Sequence, residues 1–143
     1  MLAQEMKEHF TFGSDIRLVA DGHELDLHNN YDFQGVDYSV RDRSVILRWQ
    51  RGGGDWVPKE IPSEVELRYD GVERFEFHRR DPEMPFTEDD CLASSGYWTD
   101  EDRGGGILVM PAAPEPGWLR AFQFQSGAVI LIQAQEGHAA IKR

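Results

Sequence analysis

Apolar and polar residues alternate with period two through much of this chain, and turn-forming residues break the alternation at short intervals. That pattern predicts antiparallel strands joined by hairpins. Residues 36–40 and 45–49 form the first pair, around Arg41, Asp42, Arg43 and Ser44. Setting Val40 opposite Val45 also sets Tyr38 opposite Leu47 and Val36 opposite Trp49, so all six fall on one face. Residues 64–69 and 72–77 form the second, around Asp70-Gly71. A two-residue turn there would oppose Leu67 to Arg74. A three-residue loop with Gly71 left-handed sets Val65 opposite Phe75 and places Val65, Leu67, Phe75 and Phe77 on one face. The third pair is 118–125 and 128–133, with Ser126-Gly127 as the turn, Phe124 opposite Val129 and Phe122 opposite Leu131. Ile130 and Ile132 then point the other way, so the strand 129–133 is apolar on both faces and is expected to be central and covered on both sides.

Residues 16–19, 24–28 and 107–110 are shorter strand candidates, and residues 2–10 form a possible short helix. Thr87, followed by Glu88, Asp89 and Asp90, has the signature of an N-cap with acids in the first turn, predicting a short helix to Ser95 ended by Gly96. The fold expected is mainly β, all-β or α+β: one antiparallel sheet domain over 1–143, sandwich- or barrel-like, with one or two short helices. The glycine runs at 52–54 and 104–106 and the proline-rich stretch 111–117 read as loops inside that domain.

Charge narrows the function. Fifteen Lys and Arg against 26 Asp and Glu leave a net charge of −11. Such a balance argues against binding a nucleic-acid backbone or an anionic membrane surface. The single cysteine, Cys91, permits no internal disulfide and no multi-cysteine zinc site. With no signal-peptide pattern and no long apolar run, a cytoplasmic protein is expected.

Eight of the acids lie in residues 81–102, which hold no Lys or Arg. Phe86, Tyr97 and Trp98 sit among them, and Pro82 and Pro85 stiffen the start. One interpretation is a docking surface for a basic protein: Glu83, Glu88, Asp89 and Asp90 supply the field, and Tyr97 and Trp98 the anchors. The plainer interpretation is a solvated loop.

Catalytic and metal-binding patterns are sparse. Glu88-Asp89-Asp90 offers oxygens without the spacing of a calcium loop. His9, His23, His28, His78 and His138 show no metal-binding spacing, and no metal or cofactor is expected. Asp26 and His28 share a strand face and would form a ligand or base pair, or else simply the polar face of an edge strand. Cys91 lies among acids that raise a thiol pKa, which fits a structural role better than a nucleophilic one. Asp55 beside Trp56 and Asp100 near Trp98 keep a carbohydrate-binding or paired-carboxylate hydrolase reading open. The expectation is a non-enzymatic interaction module, in its most concrete form an inhibitor or immunity-type protein. The alternatives are a carbohydrate- or small-ligand-binding β domain, a small hydrolase, or an oligomer pairing through a strand edge.

Overall fold

A computed structural model describes residues 5–14, 16–99 and 115–143. The fold is mainly β. Twelve strands are described: β1 (Lys7–Glu8), β2 (Thr11–Ser14), β3 (Arg17–Ala20), β4 (His23–Asp26), β5 (Tyr31–Ser39), β6 (Ser44–Arg51), β7 (Glu64–Asp70), β8 (Arg74–His78), β9 (Leu92–Trp98), β10 (Leu119–Phe124), β11 (Val129–Gln133) and β12 (Glu136–Lys142). They form three sheets, ordered β1-β12-β7-β6-β5, β8-β11-β10-β9 and β2-β3-β4. Every pairing is antiparallel except β1 with β12, which is parallel.

The two larger sheets face each other as a sandwich. Trp49 of β6 meets Phe122 of β10 at 5.9 Å between ring centroids, and Phe33 of β5 meets Phe124 at 4.6 Å. The small sheet adds Phe12, Leu18 and Leu25 to the same core. Tyr38 meets Phe75 at 4.9 Å, its ring tilted by 45°, where β5 approaches β8. On the opposite flank, where β1 approaches β9 and β10, the contact is polar: Glu8 enters the interior and meets Arg120.

The first hairpin pairs two residues away from the expected register. Tyr38 lies opposite Val45 and Val36 opposite Leu47. The turn closes at Ser39 and Ser44, leaving Val40 exposed. The Ser39 hydroxyl accepts the Asp42 N–H at 3.2 Å, ending the ladder one pair early. A bulge before Gly35 (φ +152°) then lets Phe33 reach Trp49. A two-residue shift keeps each paired side chain on its face, so Val36, Tyr38, Val45, Leu47 and Trp49 still share one face while Val40 is lost to the turn.

The second expected hairpin does not exist. β7 pairs with β6 and β12, whereas β8 pairs with β11 in the other sheet. Gly71 is left-handed as expected (φ +67°), but it turns a corner between sheets. The Val72 N–H reaches the Arg43 carbonyl and the Glu73 N–H the Gln133 carbonyl, and Val72 is buried. Both edges of β7 are occupied, so β8 has no place beside it.

The third hairpin forms, one residue out of the expected register, with Phe122 opposite Ile130. Its loop is three residues long and closes through Gly127 (φ +89°), with the Phe124 N–H bonded to the Ala128 carbonyl. Here the single-residue slip matters. Phe122, Phe124, Ile130 and Ile132 share the main core, while Leu119, Ala121 and Leu131 form a second cluster with Trp98 and Val129. The strand 129–133 is central, between β8 and β10, and buried on both faces as expected.

Two helix expectations are corrected. Within the segment 2–10, residues 7–8 are strand, drawn out by pairing with β12, and residues 2–4 lie outside the described residues. The acidic stretch makes only a 3-10 turn, Phe86–Asp90, preceded by Pro85 with no side-chain cap, so Thr87 caps nothing. Leu92 onward is strand and Gly96 lies inside it, because β10 offers an open edge. Candidate strand 107–110 lies outside the described residues.

Candidate functional site

The acidic segment is fastened to the turn between β10 and β11. The Asp81 N–H reaches the Ser126 carbonyl at 2.7 Å, Ser126 N–H the Glu88 carbonyl at 3.2 Å, and Gln125 N–H the Cys91 carbonyl at 2.9 Å. Gly127 makes this approach possible: a Cβ there would lie 3.3 Å from the Asp81 nitrogen, at a φ that L residues rarely adopt. Gly127→Ala is therefore expected to cost about 1–2 kcal/mol, read as a lower urea midpoint with unchanged slope.

Beside the segment opens a cleft of about 480 Å³. Phe33, Phe77, Phe86 and Phe124 provide its apolar lining, and Arg79, Arg80, Asp89 and Asp90 its charged members. Phe86 is 80% exposed and Phe77 is also exposed. Arg80 organises this wall. Its Nε donates to Asp89 Oδ1 at 2.7 Å, another nitrogen donates to the Met84 carbonyl, and its guanidinium lies 4.4 Å from the Phe86 ring centre. The bond from Arg80 holds the Asp89 carboxyl below its ordinary pKa. Asp90 is shifted up, first by desolvation and then by the charge of Asp32. A carboxylate so placed gains from an arriving cation.

The residues singled out from sequence separate here. Glu83 is exposed and Glu88 half-buried, both beside the 3-10 turn or within it, with Asp89 and Asp90. Asp89 is committed to Arg80. Tyr97 is only 4% exposed; its hydroxyl donates inward to Glu8 at 2.6 Å, so it offers no outward anchor. Trp98 is half-buried against Leu119, Ala121 and Leu131. At the cleft the exposed rings are Phe77 and Phe86, not Tyr97 and Trp98. Phe86 was visible in the sequence among the acids. Phe33, Phe77 and Phe124 come from strands whose mutual placement no local pattern encodes.

Asp26 and His28 do not act as a pair. Asp26 Oδ1 accepts the backbone N–H groups of His28 and Asn29, fixing the turn after β4. The His28 ring instead meets the Leu92 carbonyl at 2.6 Å and Cys91 Sγ at 3.4 Å, both through Nδ1. A carbonyl only accepts, so Nδ1 carries the proton and cannot take one from the thiol. Burial raises the Cys91 pKa further, as do Glu88, Asp90, Asp32 and Asp26. The contact is a structural tie between the turn after β4 and the start of β9. Asp55 and Trp56 sit on the loop after β6, where Trp56 Nε1 donates to the Asn29 carbonyl. Asp100, the other acid of that reading, lies outside the described residues.

Among the described residues no helix is long and apolar enough to cross a membrane. No protein-family model matches this chain, and no curated protein or solved structure is significantly similar to it.

Proposed function

We propose that the chain is a non-enzymatic protein-interaction module, in its most concrete form an inhibitor or immunity-type protein, that receives a basic partner at the cleft beside residues 81–91. The observation that carries this reading is the joining of exposed rings, Phe77 and Phe86, to the carboxylates of Asp89 and Asp90, beside Arg79 and Arg80, in one open cleft that borders the acidic segment. Aromatic anchors supply binding energy once water is excluded, and the surrounding charge sets the rate and choice of encounter. A net charge of −11 favours a cationic partner over a nucleic acid. Glu83, Glu88 and Asp90 would provide the attraction, Phe86 the anchor, and Asp89 the fixed geometry of Arg80.

The cleft volume favours a second reading, since small-molecule sites span roughly 300–1,000 Å³ and are mostly apolar. One experiment separates them. The chain is immobilised and presented with cell lysate at low and high salt, beside Glu83→Gln/Glu88→Gln/Asp90→Asn and Phe86→Ala forms. The interaction reading expects a basic protein retained at low salt, released by high salt, and lost in both variants. Retention that survives both variants overturns it. Absence of any retained protein, with a small apolar compound bound in a Phe86-dependent way, establishes the second reading instead.

A further inference from the structure

On the flank away from the cleft, three potential ligands converge where the N-terminal strand meets the C-terminal one. Glu136 and His138 are two residues apart on β12 and both exposed. β1 runs parallel beside them, with Lys7 opposite Glu136 and Glu8 opposite Gly137. The His9 N–H donates to the Gly137 carbonyl at 2.8 Å, which brings His9 alongside. The imidazoles of His9 and His138 stack at 4.5 Å, within 6° of parallel. His9 Nε2 lies 3.8 Å from one Glu136 oxygen and His138 Nε2 lies 3.4 Å from the other. One atom from each of the three residues falls within 4.8 Å of the others.

We propose that His9, Glu136 and His138 form a divalent transition-metal site that clamps the N-terminal strand to β12. Zinc bonds of 2.0–2.1 Å at the tetrahedral angle set neighbouring ligand atoms roughly 3.3 Å apart. The 3.4 Å separation from His138 is close to that edge, while the 3.8 Å separation from His9 runs to the other carboxylate oxygen and must shorten as the carboxylate turns. An imidazole nitrogen binds a metal in the plane of its ring, so the two parallel rings must tilt out of their stack to aim at one ion, and their exposure leaves room for that rotation. Two imidazoles and one carboxylate suit zinc, copper or nickel and discriminate against calcium and magnesium, which require oxygen ligands. Of the neighbouring cations, Arg68 is neutralised by an acid and Lys7 works against the ion. Arg68, opposite His138 on β7, donates to Asp70 at 3.0 Å, and Asp70 stands opposite Glu136. Lys7, opposite Glu136, is the remaining nearby cation. Spacing rules miss this site because His9 comes from the other end of the chain.

The clamp has a readable consequence. β1 has two residues and is an edge strand, held to β12 by the Lys7 and His9 amides. A metal bridging His9 to β12 suppresses local opening of that strand, so the His9 amide exchanges more slowly. The test titrates ZnCl2 into the full, tag-free chain, by calorimetry and by nitrogen-15 NMR of the imidazoles. Magnesium serves as the control ion. The expected result is one zinc per chain, shifts confined to His9 and His138, and slower exchange at the His9 amide. His9→Ala or His138→Ala should weaken binding by more than the about 10- to 100-fold lost with an outer-shell partner, and Glu136→Gln should also weaken it. These positions are exposed, so the variants stay folded, as circular dichroism would verify. No imidazole shift at millimolar zinc overturns the proposal. So does binding unchanged in both histidine variants, which would place the metal elsewhere.

Discussion

Arg120→Met is expected to lower folding stability by about 3–5 kcal/mol, the usual cost of breaking a buried ion pair from one side. Arg120 and Glu8 side chains are only 3% and 4% exposed. The guanidinium donates to both carboxylate oxygens, at 2.8 and 2.7 Å. Tyr69 and Tyr97 hydroxyls donate to the same carboxylate at 2.7 and 2.6 Å. Arg120 also donates to the Ser95 hydroxyl and lies 4.2 Å from the Tyr97 ring centre. Removing the arginine strands a carboxylate in the interior with only the Tyr69 and Tyr97 hydroxyls left to donate to it.

The same network predicts an acid response. Burial acts most strongly on Glu8 and opposes its ionisation, but the Arg120 charge and the hydrogen bonds from Arg120, Tyr97 and Tyr69 together outweigh it. The net pKa is lowered from 4.5. Between the folded and unfolded values the unfolded chain binds more protons, so stability rises with pH there. The Glu8 contribution is therefore complete above pH 4.5 and disappears as pH falls through the lower folded value. Urea midpoints measured down this range should fall in the native chain. Glu8→Gln should start less stable at neutral pH, with Arg120 unpaired, and lose less on acidification. An equal acid slope in both proteins would place the titrating group elsewhere.

Phe122→Ala is expected to cost about 3–5 kcal/mol. Phe122 is fully buried and its ring meets Phe12 of the small sheet and Trp49 of the five-stranded one, so it touches all three sheets. A cavity there lies between layers that pair with different strands and cannot collapse by a side-chain rotation alone. Chemical denaturation is the measurement. A loss below about 1 kcal/mol, in the range of volume-conserving swaps, would show that the sheets re-pack across the gap.

These two residues also show how far the chain could be understood from its letters. Phe122 was expected inside a hairpin with an apolar face, and it is. Its partner was expected to be Leu131 and is Ile130, because the loop closes over three residues and not two. Arg120 drew no attention, since an arginine in an alternating strand usually faces water, and its partner Glu8 lay in a segment expected to be helical. The candidate cleft divides similarly. Its acidic wall and Phe86 were apparent as a run of charge around an aromatic. Its other rings come from β5, β8 and β10, and Tyr97, expected outside, is turned inward by the buried carboxylate of Glu8.

Period-two alternation and glycine at the corners were enough to establish a mainly β chain and the central place of residues 129–133. Those properties are local: a side chain's face follows from its parity within a strand, and a left-handed turn from the residue that tolerates it. Which strands pair was decided only by the tertiary structure. An open strand edge accepts any backbone of suitable length, because the ladder bonds are the same for every residue. Burial of both faces and occupation of both edges chose between β8 beside β7 and β8 beside β11. That choice, and the meeting of the chain's two ends at β1 and β12, brought together the ion pair, the cleft and the histidine cluster.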